Sequence, residues 1–299
     1  ADGGSTDQTI PIAHKYKSKI ISNPLKTGES GKAIGIKHAK GKLIALIDSD
    51  NILPNNKWFS QMIKPFENNP IILSEPWEYT YRKSDPWLTR YFALLGMNDP
   101  LCLFIGNYDR IGVLHNGWSS YNFKEINHSS WIEANLSQLP IPTIGANGTI
   151  IKKSALAQIN IGNYYFDIDI PIMILKLKGS INIAKVKTGI IHTFVEDNPN
   201  KFFRKQWRRI KDYGYHQKNG SRTINWTQDN TKYGIINFIL SCILIIPILW
   251  QTLKGLWKSK DWCFIFHPIA CYSTLFINVY GVINNKFITN EASRKNWKQ

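Results

Sequence analysis

Two aspartates separated by a single residue follow a short apolar run. Asp48 and Asp50 flank Ser49 directly after Leu43–Ile47. Side chains two positions apart in an extended segment point to the same side, and open α/β sheets bind ligands beyond the carboxyl ends of their strands. Paired carboxylate oxygens suit Mg²⁺ or Mn²⁺, and such an ion could bridge to a diphosphate. A solvated turn has the same residue types, so the spacing alone leaves both interpretations open.

Two further acidic segments could take part in chemistry. The segment Asp2–Asp7 reads D-G-G-S-T-D, which is typical of a turn followed by a helix N-cap, although its backbone N–H groups could also face a nucleotide. Asp167 and Asp169 share a face if their segment is extended, and either could accept a proton. Asp169 could instead cap a helix that has Pro171 in its first turn.

The elements around these residues alternate between helix and strand. Apolar runs at Leu43–Ile47 and Pro70–Leu73 predict buried strands. Gly31–Lys40 and Pro54–Phe66 show the i,i+4 apolar spacing of helices. This order predicts an α/β fold with a parallel-rich sheet and helices on its faces. Such a sheet would present Asp48 and Asp50 at one edge.

The order of these motifs resembles the family 2 glycosyltransferases, which have the GT-A fold. The family shows D-x-G-S-T-D, then a helix close to A-R-N-x-G-I-x-x-A-x-G, then a strand ending in D-x-D. This chain has Asp2–Asp7, then Gly31–Gly41, then Asp48–Asp50, and later G-A-N-G at Gly145–Gly148. Further elements follow in the family's order: Gly179, His192 and Gln206-Trp207-Arg208-Arg209. The resemblance covers roughly residues 1–215.

The resemblance implies a GT-A nucleotide-sugar-binding fold with a mostly parallel mixed sheet and an inverting, metal-dependent transfer of a hexosyl group. The donor would be a UDP-, GDP- or dTDP-sugar, and the cofactor Mn²⁺ or Mg²⁺. Asp2 would lie against the nucleotide base, and Asp48 near the ribose and the metal. Asp50 would ligate the metal directly. Lys32 stands where the family has Arg, and it would bind the donor.

The resemblance leaves three roles open. Asp167 and Asp169 are both candidates for the catalytic base, with Asp167 favoured, because the family's Glu-Asp is absent here. Arg208 and Arg209 could grip the donor's diphosphate, or their helix face could lie on anionic lipid. His192 could ligate a metal, although a structural role is the favoured interpretation. Family members begin with a strand and a helix before D-x-G-S-T-D, so we expect an N-terminally truncated catalytic domain at residues 1–222.

The C-terminal part has a different character. Ile235–Trp250 and Trp262–Ile283 contain no charged residue, and each could extend to a helix of about 20 residues, the length that spans a bilayer core. They predict a hydrophobic helical hairpin at residues 233–285, followed by a basic tail at 286–299. The hairpin could span the membrane or lie in its surface, because lysines in the connecting loop conflict with a simple positive-inside arrangement. Two buried helices of a soluble domain are the alternative.

Charge and composition narrow the partners. The 299 residues include 37 Lys and Arg against 21 Asp and Glu, a net charge of +16, and 43% are hydrophobic, which excludes a wholly disordered chain. The four cysteines form no C-x-x-C pair, so a disulfide scaffold or zinc knuckle is excluded. The chain has no helix-turn-helix, zinc-finger or RNP pattern, so we expect no nucleic acid.

We therefore expect an enzyme at the cytoplasmic face of the cell membrane. Its partners would be the nucleotide-sugar, an anionic membrane surface, and a cell-surface glycan, glycolipid or polyprenyl-phosphate acceptor. The alternatives are a non-catalytic glycosyltransferase-like scaffold and, less favoured, a basic nucleic-acid-binding protein.

Overall fold

A mixed sheet forms the centre of the N-terminal domain. The computed structural model describes residues 1–67, 69–222, 224, 229–284 and 290–291. Its strands are β1 (Leu43–Leu46), β2 (Asn51–Ile52), β3 (Ile71–Tyr79), β4 (Lys124–Asn127), β5 (Trp131–Leu136), β6 (Thr149–Lys152) and β7 (Ile181–His192). They are ordered β1-β6-β3-β7-β5-β4, and β2 pairs with the end of β7.

The strand directions correct one prediction. Of the described strand pairs only β3 and β7 run parallel, with Ser74 opposite Ala184, and the others are antiparallel. The predicted mixed α/β sheet is present, but the expectation that it is mostly parallel is wrong. β6 inserts between β1 and β3 in the opposite direction, and β5 pairs in the same way with β7. The helix–strand alternation of residues 1–140 does not reveal these later insertions.

Helices cover the sheet and continue beyond it. They are α1 (Thr9–Lys15), α2 (Gly28–His38), α3 (Trp58–Ile63), α4 (Trp87–Leu95), α5 (Leu101–Ile105), α6 (Lys153–Leu156), α7 (Ile170–Lys178), α8 (Pro199–Lys218), α9 (Asp229–Leu244), α10 (Ile246–Ser259) and α11 (His267–Asn284). Short 3-10 helices occupy Lys64–Phe66, Asp167–Asp169 and Trp262–Phe266. α2 begins where the Thr27 hydroxyl accepts a hydrogen bond from the Ser30 N–H at 3.0 Å, a side-chain N-cap.

The sheet register brings the acidic edge together. Leu46 at the end of β1 lies opposite Thr149 at the start of β6. Asn51 in β2 lies opposite His192 at the end of β7. The residues between β1 and β2, which include Asp48 and Asp50, therefore lie at the edge where β6 begins and β7 ends.

The aromatic residues 77–92 contribute largely to a second core beside the sheet. Tyr91 and Phe92 are buried, and they pack edge-on against Phe264, Phe266 and Phe194. Residues of the C-terminal part therefore complete a core of the N-terminal part.

The C-terminal helices differ from a simple hairpin. The first predicted apolar helix breaks at Ile245, where φ is +65° and α9 and α10 diverge by 91°. Trp262–Asn284 forms one helical stretch of 23 residues with mean hydropathy 1.4, long and apolar enough to cross a membrane. The bent pair α9–α10 is a second candidate only if its two helices are counted together as a single span. Lys286, Arg294, Lys295 and Lys298 of the predicted basic tail lie outside the described residues.

Candidate functional site

One ammonium group joins two of the predicted carboxylates. Lys32 Nζ lies 2.9 Å from Asp48 Oδ1 and 2.9 Å from Asp167 Oδ2. Lys32 comes from the first turns of α2, Asp48 follows β1, and Asp167 begins the 3-10 helix before α7. Lys32 Nζ also lies 3.1 Å from Asp167 Oδ1, so it contacts both oxygens of this carboxylate. The three residues are far apart in the sequence, so their convergence is a property of the fold.

A second cation and a histidine meet at Asp50. Lys205 Nζ, from α8, lies 3.1 Å from Asp50 Oδ2, and His192 Nε2 lies 3.4 Å from the same oxygen. The Asp50 carbonyl accepts hydrogen bonds from the Thr193 N–H and hydroxyl, which tie the turn to the end of β7. Lys205 also donates to the Phe194 carbonyl. Asp50 is thus held in place by residues that follow β7.

The two carboxylates of the D-x-D motif have opposite pKa shifts. Burial raises the pKa of Asp48 to about 6, with the neighbouring charge of Asp167 adding and Lys32 opposing. Burial would also raise the pKa of Asp50, but the hydrogen bond from His192 and the charge of Lys205 outweigh it and hold this pKa well below its usual range. Asp50 is therefore a carboxylate over the whole physiological range.

Asp167 and Asp169 lie in a 3-10 helix rather than an extended segment, and they point to different partners. Burial raises the pKa of Asp167 against the attraction of Lys32. Asp169 is buried and forms a bidentate pair with Arg222, both contacts at 2.7 Å. Asp169 occupies the N-cap position of α7, yet its side chain makes no capping hydrogen bond. The geometry therefore separates Asp167, which faces Lys32, from Asp169, which is engaged by Arg222.

Asp2 stabilises its own turn. Its carboxylate accepts hydrogen bonds from the Gly4 N–H at 2.8 Å and the Ser5 hydroxyl at 2.6 Å, and these hydrogen bonds lower its pKa. The preceding residue, Ala1, packs beside Gly31, and a Cβ at Gly31 would lie 3.6 Å from the Ala1 Cβ. The turn containing Asp2 thus lies beside the start of α2, one residue from Lys32.

Arg208 and Arg209 lie one turn after Lys205 on α8. The Arg209 guanidinium lies over the Phe194 ring, 5.0 Å from its centroid, and Nη1 is 3.5 Å from Gln206 Oε1. Burial lowers the pKa of Lys205, and the positive charges of both arginines lower it further. The helix therefore presents a row of cations beside Asp50. Arg208 and Arg209 follow Lys205 at i,i+3 and i,i+4, a spacing that sequence analysis overlooked.

Behind the acidic edge lies an amide chain that sequence analysis did not detect. The Asp48 N–H donates to Asn51 Oδ1 at 3.1 Å, and Asn51 Nδ2 donates to Asn147 Oδ1 at 3.1 Å. Asn147 Nδ2 in turn donates to the Tyr79 hydroxyl, while Arg110 Nη2 donates to the Asn147 carbonyl at 2.9 Å. Asn147 belongs to the G-A-N-G segment, whose family resemblance was its only sequence signal.

A fully buried ion cluster continues inward from Arg110. Glu75 Oε2 lies 3.0 Å from Lys185 Nζ, and Glu75 Oε1 accepts from the Thr149 hydroxyl at 2.9 Å. Arg110 Nη1 lies 2.8 Å from Asp109 Oδ2. Burial raises the pKa of Glu75 and lowers that of Lys185. This cluster supports the site from beneath.

The donor set at the edge fits a metal ion shared with a ligand. Among the described residues no three His, Cys, Asp or Glu side chains lie close enough together to hold a metal ion. Asp50 and His192 do converge, and burial lowers the pKa of His192, so that the imidazole is neutral and could ligate through Nε2 in the tautomer that carries its proton on Nδ1, in place of the hydrogen bond to Asp50. One oxygen and one nitrogen from these residues suit Mn²⁺ or Mg²⁺ if diphosphate oxygens supply the remaining ligands.

A comparison with known families decides the identity of this domain. Residues 1–123 match the family model described as Glycosyl transferase family 2. Residues 1–123 belong to glycosyltransferase family 2. No curated protein and no solved structure matches the chain. The mixed α/β sheet agrees with the GT-A type of this glycosyltransferase domain.

The matched segment contains only part of the acidic edge. Asp2, Lys32, Asp48 and Asp50 lie within residues 1–123. Asp167, His192 and Lys205 lie beyond them, yet their side chains contact Lys32 or Asp50. The edge is therefore built from both the matched segment and the residues that follow it.

Proposed function

We propose that this glycosyltransferase moves a hexosyl group from a nucleotide-sugar to an acceptor with inversion at the anomeric carbon. The observation that carries the proposal is the convergence of Asp48, Asp167 and Lys32 beside Asp50 at one sheet edge. The pKa of Asp50 is lowered and that of Asp167 is raised, and Lys32 and Lys205 lie beside them, a charge pattern suited to a metal-binding role for Asp50 and a proton-accepting role for Asp167.

On the donor side, the edge would bind the diphosphate and the nucleoside. Asp50 and His192 would hold the metal, with Asp48 near the ribose and Asp2 near the base. The Mn²⁺ or Mg²⁺ ion would supply stabilisation of the negative charge that develops on the leaving diphosphate. Lys205, Arg208 and Arg209 would contribute further positive charge along the same side of α8.

On the acceptor side, Asp167 would act as the base. The acceptor oxygen forms a bond to the anomeric carbon while the bond from that carbon to the diphosphate oxygen breaks. The hydroxyl proton passes to the Asp167 carboxylate, and the bonding electron pair leaves with the diphosphate. A carboxyl whose pKa is raised by burial is a better proton acceptor than an exposed one. Lys32 orients Asp167 through its bidentate contact. Asp169 is the less favoured base because Arg222 occupies it.

For the acceptor and location, we propose a cell-surface glycan, a glycolipid or a polyprenyl phosphate at the cytoplasmic face of the membrane. The support is the apolar C-terminal part, which adjoins the catalytic domain, and the basic excess of the chain. An acceptor phosphate is already an anion and needs little help from a base, so dependence on Asp167 separates hydroxyl from phosphate acceptors.

The test is a donor screen on the full chain in detergent. UDP-, GDP- and dTDP-sugars are supplied with Mn²⁺ or Mg²⁺, and release of the nucleotide diphosphate is measured together with its binding by calorimetry. We expect release with one nucleotide class, loss of release with a chelator, and loss in Asp50→Asn. Asp197→Asn, at an exposed carboxylate on the loop before α8, is the matched control and should retain activity.

The outcomes separate the candidates. Nucleotide binding without release from any donor, in a chain with an intact fold, would favour the non-catalytic scaffold. Full activity of Asp50→Asn would contradict the proposed role of Asp50 as a metal ligand and would leave the proposed sugar transfer standing.

A further inference from the structure

Exposed apolar side chains are concentrated in the C-terminal helices. Twenty of the thirty large apolar side chains that are exposed in the described structure lie between Tyr233 and Ile283. Trp257 is 79% exposed, Val282 78% and Ile246 75%. A soluble monomer rarely leaves such a surface in contact with water, so a partner must cover it.

Each of these helices exposes one apolar stripe and buries the opposite face. On α10 the exposed stripe has helical spacing and consists of Ile246, Leu249, Trp250, Leu253 and Trp257. Its opposite face carries Ile248, Thr252 and Gly255, which are buried. A Cβ at Gly255 would lie 2.1 Å from the Phe264 ring, so this glycine permits close packing against the following 3-10 helix. The helices thus form a layer with a packed inner side and an apolar outer side.

The helix that is long enough to span a membrane is fastened to the catalytic domain at both ends. At its start, His267 Nδ1 lies 2.8 Å from the Tyr91 hydroxyl of α4. Near its end, the Tyr280 ring packs against Trp207 of α8, 5.1 Å between centroids. Gly281 lies against Ile210 of the same helix, since a Cβ there would be 2.2 Å from an Ile210 methyl.

The charges of α8 exclude a transmembrane position for α11. α8 carries six basic residues in its first 13 positions: Lys201, Arg204, Lys205, Arg208, Arg209 and Lys211. If α11 crossed the hydrocarbon core, α8 beside it would have to enter as well, and charged side chains at the bilayer centre are strongly unfavourable. The contacts of α11 therefore hold it at the level of a polar, water-facing helix.

The bent pair cannot span either in this conformation. α9 and α10 have 16 and 14 residues, which gives each arm roughly 21–24 Å at 1.5 Å per residue, less than the ~30 Å hydrocarbon core. The arms diverge by 91° at Ile245, so they do not join into one straight helix.

We infer that α9, α10 and α11 lie in the plane of one anionic leaflet and attach the catalytic domain to it without crossing. This inference rests on the membrane association proposed above and gives its geometry. Charge argues for lipid rather than a protein partner. Residues 231–284 contain four lysines, and their single acidic residue, Asp261, is buried and paired with Arg90 at 2.8 Å. Exposed Trp250, Trp257 and Trp262 are typical of the membrane interface.

α8 connects this layer to the donor site. Its Trp207 contacts Tyr280 of α11, while its Lys205, two residues earlier, contacts Asp50. The donor-binding edge is therefore connected through α8 to the helices that lie in the leaflet. An acceptor bound in the same leaflet would approach the edge from the side of α8.

The decisive experiment measures sidedness. Lys260→Cys and Asn290→Cys, placed before and after α11, are labelled with a membrane-impermeant maleimide in intact expressing cells and in sealed inside-out vesicles, with the parent chain as background. In-plane attachment predicts that both positions react in inside-out vesicles and neither reacts in intact cells. Labelling of the two positions from opposite sides would overturn the inference.

A second measurement tests the partner. The full chain is floated with phosphatidylcholine vesicles that do or do not contain about one third phosphatidylglycerol. We expect stronger binding to the anionic vesicles and at least about a tenfold loss in Ile246→Ser/Trp257→Ser, since two large apolar side chains would no longer be buried in the lipid. The matched control is Tyr16→Ser/Ile126→Ser, at exposed apolar positions outside the layer. A discrete dimer that dissociates in the first variant, with no lipid binding, would overturn it.

Neither measurement depends on sugar transfer. An inactive chain that floats and labels from one side would contradict the enzymatic proposal only, whereas an active chain with opposite labelling would contradict the in-plane geometry only.

Discussion

The N-terminal domain contains two clusters of lysine and carboxylate groups with similar distances and different surroundings. In the buried cluster Lys185 lies 3.0 Å from Glu75, and both side chains are 0% exposed. At the sheet edge Lys32 lies 2.9 Å from Asp48, and their side chains are 14% and 31% exposed. The pair distances are almost the same, so burial is what distinguishes a structural pair from one that a ligand can reach.

The consequences for charge follow from that difference. In the buried cluster every partner is a protein group, and burial opposes the charged form of both members. At the edge, Asp50 is kept ionised by Lys205 and His192 while Asp48 titrates at about 6. At the half-open edge, a metal ion can reach the carboxylates and a phosphate can reach the lysines, whereas the side chains of Lys185 and Glu75 are closed to solvent.

The largest expected effect is on stability, in the buried cluster. Lys185→Met leaves the Glu75 carboxylate without its ammonium, and removal of one partner of a buried pair costs about 3–5 kcal/mol. We expect a loss of this size in the free energy of unfolding, measured by denaturant titration. Glu75→Gln added to Lys185→Met should recover much of it, because the amide can still accept from Thr149. If the single variant is as stable as the parent, the cluster is not structural.

A similarly large effect, on catalysis alone, is expected at Asp167. Asp167→Asn removes the proposed proton acceptor, and general-base catalysis typically contributes about 10²–10⁴-fold. We expect kcat to fall in that range for a hydroxyl acceptor, with little change in donor binding or in Tm. Asp197→Asn serves again as the matched exposed substitution. A change confined to the KM of the donor would show that Asp167 acts in binding.

A smaller effect is a pH shift at Asp48. Its folded-state pKa of about 6 lies above the ordinary aspartate value of 3.8, so the folded protein binds the extra proton between these values. Stability contributed by this group is therefore lost as the pH rises through that window. In metal-free protein, carboxyl NMR should give a midpoint near 6 for Asp48. Lys32→Met should move the midpoint higher, because the attraction of the ammonium is lost. An unshifted midpoint near 4 would contradict the burial argument.

The smallest effect is expected for an ion pair on the protein surface. Lys201 Nζ lies 2.8 Å from Glu196 Oε2, but the Glu196 side chain is 57% exposed. Surface pairs of this kind contribute about 0–1 kcal/mol, so Lys201→Gln should leave Tm and nucleotide release nearly unchanged. A large loss of stability in this variant would mean that distance rather than burial determines the strength of these pairs.

Local patterns were sufficient for the elements that position the motif. The apolar run before Asp48 is β1, and the apolar spacing around Trp58 and Met62 forms α3, because both patterns depend only on neighbours in the chain. Asp169 stands at the N-cap of α7, the alternative to a catalytic role, but its side chain does not cap the helix and pairs with Arg222, 53 residues later. Lys205 was overlooked because its contact with Asp50 is visible only in the fold, although its i,i+3 and i,i+4 spacing from Arg208 and Arg209 is visible in the sequence.

The sequence by itself determined the family 2 motifs, the mixed α/β class and the apolar character of the C-terminal helices, since each is written in residue order and periodicity. The tertiary structure decided the strand directions and the separation of Asp167 from Asp169. It also decided that Lys32 pairs with Asp167, 135 residues away, and that Lys205 pairs with Asp50, 155 residues away. It also decided that α11 packs along the basic helix α8. Contacts of such separation depend on how distant segments bury their shared surfaces, and no local pattern of residues encodes that.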